Sequence, residues 1–237
     1  ATVTTTLSNV SGTDVISLTS TETTADATAL VALAGKVTTA DAKAFASVTT
    51  ITEAGATVGT DGATVVSALN IAGNDVAVSF TDATAISAAS ADAIADATSG
   101  TVTATVTAGT AADLNTALVD SGAQVNAYKL TVNDTGSVKA TDLTGLDGKT
   151  SVAVVATSVT DITGSSAEVA AVYTAATAGT ITGLGNETVS ITGTDATVLN
   201  VAAINNATSG LVTVAEIDVT AGTELVAGSF SLTTDLG

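Results

Sequence analysis

The sequence predicts a repeat solenoid in which parallel β-strands alternate with short helices, an α/β solenoid with about two coils in each unit of about 55 residues. Three observations predict it: an internal repeat, strand patterns beside Ala-rich helical patterns, and a shortage of bulky side chains. Hydrophobic residues make up 46% of the 237 residues, yet two Tyr and three Phe are the only aromatic ones. Val, Ile, Leu and Ala must therefore fill the core, and such small side chains suit a thin coil.

The repeat is visible in the order of its phrases. Four similar phrases begin with Ile or Val followed by Thr and end at Gly55, Gly109, Gly164 and Gly222, which are 54, 55 and 58 residues apart. Other phrases recur between them, including ATSG at 97–100 and again at 207–210. We therefore expect a single elongated repeat domain over residues 1–237. Its approximate units are 1–55, 56–109, 110–164 and 165–222, followed by a C-terminal strand at 223–237.

The first half of a unit is predicted to be a strand, a turn and a short helix. VAVSF at 76–80 alternates apolar and polar residues, which is typical of a strand with one buried face. A helical pattern follows at 84–97, and a similar one occupies 196–207. In the latter, Val198, Val201 and Ile204 are three residues apart and share one face.

The second half is predicted to be another strand, a capped helix and a Gly-bearing turn. TVTATVTAG at 101–109 alternates as a strand does. Thr110 with Asp113, and Ser165 with Glu168, have the spacing of a capping box at a helix start. A short helix supplies the crossover of about a dozen residues that parallel strands need. An all-β solenoid is the alternative if the Ala-rich stretches are not helical.

The segment at 159–213 resembles the Thr/Ala-rich repeat arrays of large bacterial, especially cyanobacterial, cell-surface and secreted structural proteins. The resemblance rests on ITG at 162–164, SAEV at 166–169, ITGLGNE at 181–187 and the block at 199–210. It implies an extracellular or cell-surface location and a structural role. It supplies no active-site residues.

The charge of the chain limits its partners. The net charge is −18, with 23 acidic residues against five Lys. Nucleic-acid binding depends on Lys and Arg that neutralise phosphates, so we expect no nucleic-acid partner. No window has the roughly 18 uninterrupted apolar residues of a membrane span, so we expect no membrane insertion.

Residue types for catalysis are scarce. His and Cys are absent, and with them the usual nucleophile–base pairs. A two-carboxylate hydrolase remains open through Glu53, Glu168, Glu187 or Glu216. However, Glu168 occupies the place of Asp113 in the other unit, which a helix cap explains. We therefore expect a protein that is not an enzyme and has no catalytic or cofactor-binding residues.

Calcium is the one ion that the sequence suggests. Ca²⁺ takes six to eight oxygen ligands, and several turns are rich in Asp, Asn and Thr. The candidate ligands are Asp61, Asp75, Asp134 and Asp195. Asp and Asn also favour turns through bonds to their own backbone, so an ordinary turn is the other interpretation.

The sequence thus predicts a structural protein, a segment or subunit of a filament, sheath or surface layer. Strand-like sequences at 2–7 and 229–234 lack the polar character of a solenoid cap. We therefore expect end-to-end association, with another copy of the chain or with flanking repeats as the partner. The alternative is an adhesin or carbohydrate-binding module. That alternative requires an exposed aromatic or charged patch, whereas Tyr128 and Tyr173 are expected in the core or at a coil edge.

Overall fold

A computed structural model describes residues 23–35, 47–55, 62–73, 75–119, 125–194, 196–218 and 231–232. The chain divides into two compact units. Unit 1 takes its residues from Ala1–Thr107 and Ala117–Lys129, and unit 2 from Ala108–Thr116 and Leu130–Gly237.

The described part of unit 1 contains one five-stranded sheet and three helices. The strands are β1 (Thr24–Asp26), β2 (Thr50–Glu53), β3 (Ala77–Phe80), β4 (Val102–Thr105) and β5 (Ala127–Lys129). The helices are α1 (Ala27–Ala34), α2 (Ala63–Ala72) and α3 (Ala88–Asp96).

The five strands of unit 1 are all parallel and pair in chain order. Paired residues are 24 to 27 positions apart in the sequence, so each strand returns to the sheet after one connection of nearly constant length. Parallel pairing requires such a crossover, and the helices supply it. Two strands therefore fit into each sequence repeat of about 55 residues.

The core of unit 1 is a ladder of aliphatic side chains. Ile51, Val78 and Val102 are in register on neighbouring strands, and all three are buried. On the helices, Leu30, Leu69, Ile94 and Ala91 are buried as well. Thr103, between two buried strand residues, is exposed. The alternation read from the sequence at 101–109 is therefore the alternation of buried and exposed positions.

Unit 2 repeats this plan and adds two short pairs of strands. The strands of the larger sheet are β6 (Ser137–Lys139), β8 (Asp161–Gly164), β10 (Thr188–Ile191), β12 (Val212–Val214) and β14 (Ser231–Leu232). The short strands are β7 (Val154–Val155), β9 (Ile181–Thr182), β11 (Ala196–Thr197) and β13 (Ile217–Asp218). The helices are α4 (Ala111–Ala117, whose last residue falls in unit 1), α5 (Ala140–Asp147), α6 (Ser166–Ala178) and α7 (Val198–Ala207).

Pairing in unit 2 is again parallel throughout. The larger sheet has the order β6-β8-β10-β12-β14, while β7 pairs with β9 and β11 with β13. Val138, Ile162, Val189 and Val212 form its buried ladder. The core side of α7 consists of the three residues that the sequence placed on one face, Val198, Val201 and Ile204, so that prediction is confirmed.

Both helix starts predicted from capping boxes are confirmed. In α6, the Ser165 hydroxyl accepts the Glu168 N–H at 3.3 Å, and the Glu168 carboxylate accepts the Ser165 N–H at 2.8 Å. In α4, the Thr110 hydroxyl accepts the Asp113 N–H at 3.0 Å. Each helix begins at the residue after its Ser or Thr, because that hydroxyl satisfies an N–H that has no partner within the helix.

The repeated ATSG phrase acts as a staple between successive strands. The buried Thr98 hydroxyl donates to the Val76 carbonyl at 2.6 Å and accepts the Gly100 N–H at 2.9 Å. The buried Thr208 hydroxyl does the same in unit 2, with the Glu187 carbonyl at 2.7 Å and the Gly210 N–H at 3.0 Å. In both places the carbonyl belongs to the residue directly before a strand: Val76 precedes β3, and Glu187 precedes β10. The ATSG phrase recurs because the same connection, from the end of a helix to the residue before the preceding strand, occurs in both units.

The fold is therefore α/β, with parallel sheets that do not close into a barrel. The Ala-rich stretches are helices, which makes the all-β alternative wrong. The N-terminal strand expected at 2–7 and Gly222 lie outside the described residues. At the other end, Ser231–Leu232 is a strand parallel to β12. Within the described residues no helix is long and apolar enough to cross a membrane.

Candidate functional site

Two carboxylates in the described part of the chain are buried, and both serve as acceptors for backbone N–H groups. Glu53 in unit 1 is 3% exposed. It accepts the N–H and the hydroxyl of Thr28 at 3.0 and 2.7 Å, and the Ala54 N–H at 2.9 Å. Thr28 is in the first turn of α1, where N–H groups lack helical partners. Glu53 therefore holds the start of one helix from the strand that follows it.

Glu187 in unit 2 is 0% exposed. Both of its oxygens are 2.8 Å from the Gly185 nitrogen, and one of them accepts the Tyr173 hydroxyl at 3.2 Å. Burial raises the pKa of Tyr173, and the Glu187 carboxylate beside it acts in the same direction. The pair fixes the turn between β9 and β10 to α6.

The other two glutamates considered for catalysis are at the surface. Glu168 closes the capping box of α6, and the Ser165 N–H lowers its pKa. Its contribution to stability is present above the carboxyl pKa of the unfolded chain and is lost as the pH falls through the lowered pKa. Glu216 is exposed. Glu53, Glu168 and Glu187 thus each accept a hydrogen bond from a backbone N–H. This structural use explains why a glutamate stands at each of the three positions.

Two of the four calcium candidates lie in the described part of the chain. Asp61 and Asp195 lie outside the described residues. Asp75 is exposed in unit 1, whereas Asp134 belongs to unit 2 and accepts the Ala111 N–H at 2.7 Å. The part of the chain that the structure describes brings no three His, Cys, Asp or Glu side chains together as a metal would require. Calcium binding remains a prediction, and the observed use of Asp134 is a helix cap.

Two other acidic residues also accept a backbone N–H from a residue well before them in the chain. The Asp82 carboxylate accepts the Gly55 N–H at 2.9 Å, just as Asp134 reaches back to Ala111 and Glu53 to Thr28. These bonds connect residues that are 27, 23 and 25 positions apart. An acidic residue about one strand-to-strand interval after the N–H that it accepts is thus a feature of the sequence that the motif analysis did not contain.

The aromatic side chains of the described residues are buried. Tyr128 donates its hydroxyl to the Ala91 carbonyl at 3.2 Å, and Tyr173 and Phe80 are buried as well. Both tyrosines were expected in the core or at a coil edge, and both are buried. Phe45 and Phe230 lie outside the described residues.

One concave feature lies on the surface of unit 2, between α6 and α7. It is an open groove of about 540 Å³. Its lining includes Tyr173, Ile204 and four alanines, Ala170, Ala178, Ala203 and Ala207, together with the polar Asn200. The hydroxyls of Thr174 and Thr177, which also line it, donate to carbonyls one turn earlier in α6. The Asn200 amide donates to the Ser166 hydroxyl at 3.3 Å, so these three polar side chains of the lining each have a partner within the protein.

Comparisons with protein-family models, with curated proteins and with solved structures find no match to this chain. The assignment of a function therefore depends on the chain's own geometry.

Proposed function

We propose that this chain is a non-enzymatic structural protein of the bacterial cell surface or extracellular space. It acts as a solenoid segment or subunit of a filament, sheath or surface layer, and it assembles end to end. One observation carries the proposal: in each unit, parallel strands pair in chain order through connections of similar length, joined by the same Thr staples and acidic caps. Such a plan adds length by repetition.

Assembly requires a surface that continues this pairing, and β1 offers one. The Thr23 carbonyl accepts the Thr50 N–H, so the groups of Thr23 and Ala25 face β2. Alternation along the strand directs the N–H and C=O of Thr24 and Asp26 to the opposite edge. Within the described residues, β1 pairs with β2 alone. A strand of another copy that pairs with this edge extends the sheet, and a contact between two different edges repeats without closing.

The extracellular location is supported by the composition and by the resemblance of residues 159–213 to bacterial surface repeats. An oxidising compartment would alter Cys and Met side chains, and the chain contains neither.

A proline at the outer edge of β1 tests the proposal. Thr24→Pro removes the N–H that faces away from β2 but leaves the bonds between β1 and β2, and an edge strand tolerates proline. Thr24→Val, which keeps the N–H, is the matched control. Electron microscopy and sedimentation velocity then measure thread formation by the full chain.

We expect threads of constant width from the unaltered chain and from Thr24→Val, and isolated particles from Thr24→Pro. A single monomeric species of the unaltered chain at high concentration would overturn end-to-end assembly. Threads that form equally well with Thr24→Pro would exclude β1 as the joining edge.

A further inference from the structure

The outer surface of α6 and α7 differs from the rest of this acidic chain in its charge. Between Val169 and Ala215 the sequence contains no Lys or Arg and two acidic residues, Glu187 and Asp195. Glu187 is buried against Tyr173, so it contributes no surface charge. Apart from position 195, the helices and connections of this segment thus expose uncharged side chains, on a chain whose net charge is −18.

A large apolar side chain stands on the same surface. Leu199, in the first turn of α7, is 72% exposed, the highest value among the large hydrophobic residues of the described part. On the helix, residues 199 and 203 are one turn apart and share a face, and Ala203 is exposed and lines the groove between α6 and α7. A protruding leucine and a groove lined with methyl groups therefore lie side by side.

We propose that the surface of α6 and α7 docks a second copy of this chain, with Leu199 of each copy entering the groove of the other. A two-fold contact of this kind needs the same patch on both partners to be self-complementary, which a knob beside a groove provides. Two copies that each carry a charge of −18 repel one another. The copies can approach closely only where charge is missing, and depletion of charged residues is what marks the core of an interface.

The size of the surface sets the strength of the contact. The 13 residues of α6 extend about 20 Å, and the axes of packed helices are about 8–10 Å apart. With its flanks the surface covers on the order of 400 Å² per copy, about half of what a stable complex buries on each partner. The contact is therefore weak for single chains and becomes strong when many copies are aligned.

This lateral contact goes beyond the proposed end-to-end assembly and does not depend on it. β1 belongs to unit 1, whereas α6 and α7 belong to unit 2. Thr24→Pro therefore tests end-to-end assembly without altering the lateral surface. Each contact can fail while the other persists.

Photo-crosslinking detects weak contacts and locates them. A photoreactive benzoylphenylalanine replaces Leu199 in one protein and, as the control, Leu211 in another. Leu211 is also an exposed leucine of unit 2, 53% exposed, but it directly precedes β12. Both proteins are irradiated at about 1 mM, where a contact worth about −4 kcal/mol is half occupied. Mass spectrometry of mixed isotope-labelled chains then separates links between copies from links within one chain.

We expect position 199 to link to residues 170–178 or 200–207 of another copy. The further change Ala203→Asp places like charges in the contact and should reduce these links at least about tenfold, because such juxtaposition costs several kcal/mol. The same change at the exposed Ala112 of α4 should leave them unaltered.

Three results would overturn the proposal. The first is a yield of links between copies at position 199 no higher than at position 211. The second is a set of links from position 199 to residues 219–230 of the same chain, which would show that the chain covers this surface itself. The third is persistence of the links after Ala203→Asp.

Discussion

Thr98→Val tests whether the repeated ATSG phrase holds successive strands together. The change keeps the shape of the side chain and removes the hydroxyl that donates to the Val76 carbonyl at 2.6 Å and accepts the Gly100 N–H at 2.9 Å. Thr98 is buried, so water cannot replace both bonds fully. A net hydrogen bond contributes about 1 kcal/mol and a buried group left without a partner costs about 1–3 kcal/mol. We therefore expect unfolding to become easier by about 2–4 kcal/mol.

The assay is thermal unfolding followed by circular dichroism, with hydrogen exchange to locate the effect. For a chain of this length a change of 1 kcal/mol shifts Tm by about 2–4 °C, so we expect a decrease of about 4–16 °C. Amides around 76–80 and 98–105 should lose protection first, because the staple joins these segments.

Two further variants make the test specific. Thr103→Val makes the same chemical change on the exposed face of β4 and should alter stability by less than about 0.5 kcal/mol. Thr208→Val removes the equivalent hydroxyl in unit 2 and should cost at least as much as Thr98→Val, because its two backbone bonds have nearly the same lengths and it also binds the Tyr173 side chain. Equal stability of Thr98→Val and Thr103→Val would refute the staple.

Two other changes probe the same junction and its neighbour. Gly210→Ala places a methyl group against the Glu187 carbonyl and 2.8 Å from the Thr188 nitrogen, so we expect denaturant unfolding to show a loss of about 3 kcal/mol or more in the free energy of unfolding. Gly136→Ala is the control and should be neutral, because nothing lies within 4 Å of the new atom. Equal losses in the two variants would contradict the reasoning. Tyr173→Phe tests the raised pKa: Tyr173 favours folding fully below the tyrosine pKa of the unfolded chain, and this contribution is lost as the pH rises toward the folded pKa. The variant should therefore lose less stability than the unaltered chain above about pH 10, and identical pH profiles would refute the assignment.

Helix starts and strand alternation could be predicted from the sequence because both are local. A Ser or Thr that caps a helix binds an N–H within three residues, so the spacing of Ser165 and Glu168, and of Thr110 and Asp113, was enough to predict both helix starts. The burial of Val198, Val201 and Ile204 follows from helical periodicity alone. The roughly 25-residue interval between paired strands likewise followed from the repeat length.

The roles of the buried acids and hydroxyls could not be predicted, because they bind partners that are 14 to 25 residues away in the sequence. In the sequence Glu53 and Glu187 cannot be distinguished from surface glutamates, and only the folded arrangement brings Thr28 to one and Tyr173 to the other. The ATSG phrase was recognised as a repeat without its function, since the Val76 carbonyl that Thr98 reaches is 22 residues earlier.

The small-aliphatic core explains why such staples are needed. An aromatic side chain buries about 150–250 Å², whereas the ladder of unit 1 consists of one Ile and two Val, and the described strands of this unit add two buried aromatic side chains, Phe80 and Tyr128. One strand and its helix therefore bury too little to be stable alone, and stability comes from the contact with the next strand. Polar bonds directed to the neighbouring connection, as from Thr98, Asp82 and Glu53, strengthen the contact on which such a fold depends.

The same reasoning connects the acidity of the chain to the proposed assembly. Glu53 and Asp134 accept N–H groups at helix starts, which positive side chains could not do, so these acidic residues have a structural use without a counter-charge. The net charge of −18 opposes random association of exposed strand edges. Association is then restricted to places where backbone pairing outweighs repulsion or where charge is missing. The two contacts proposed above, at the outer edge of β1 and at the surface of α6 and α7, are one of each kind, so an added charge at Ala203 and a proline at Thr24 should affect different contacts of one assembly.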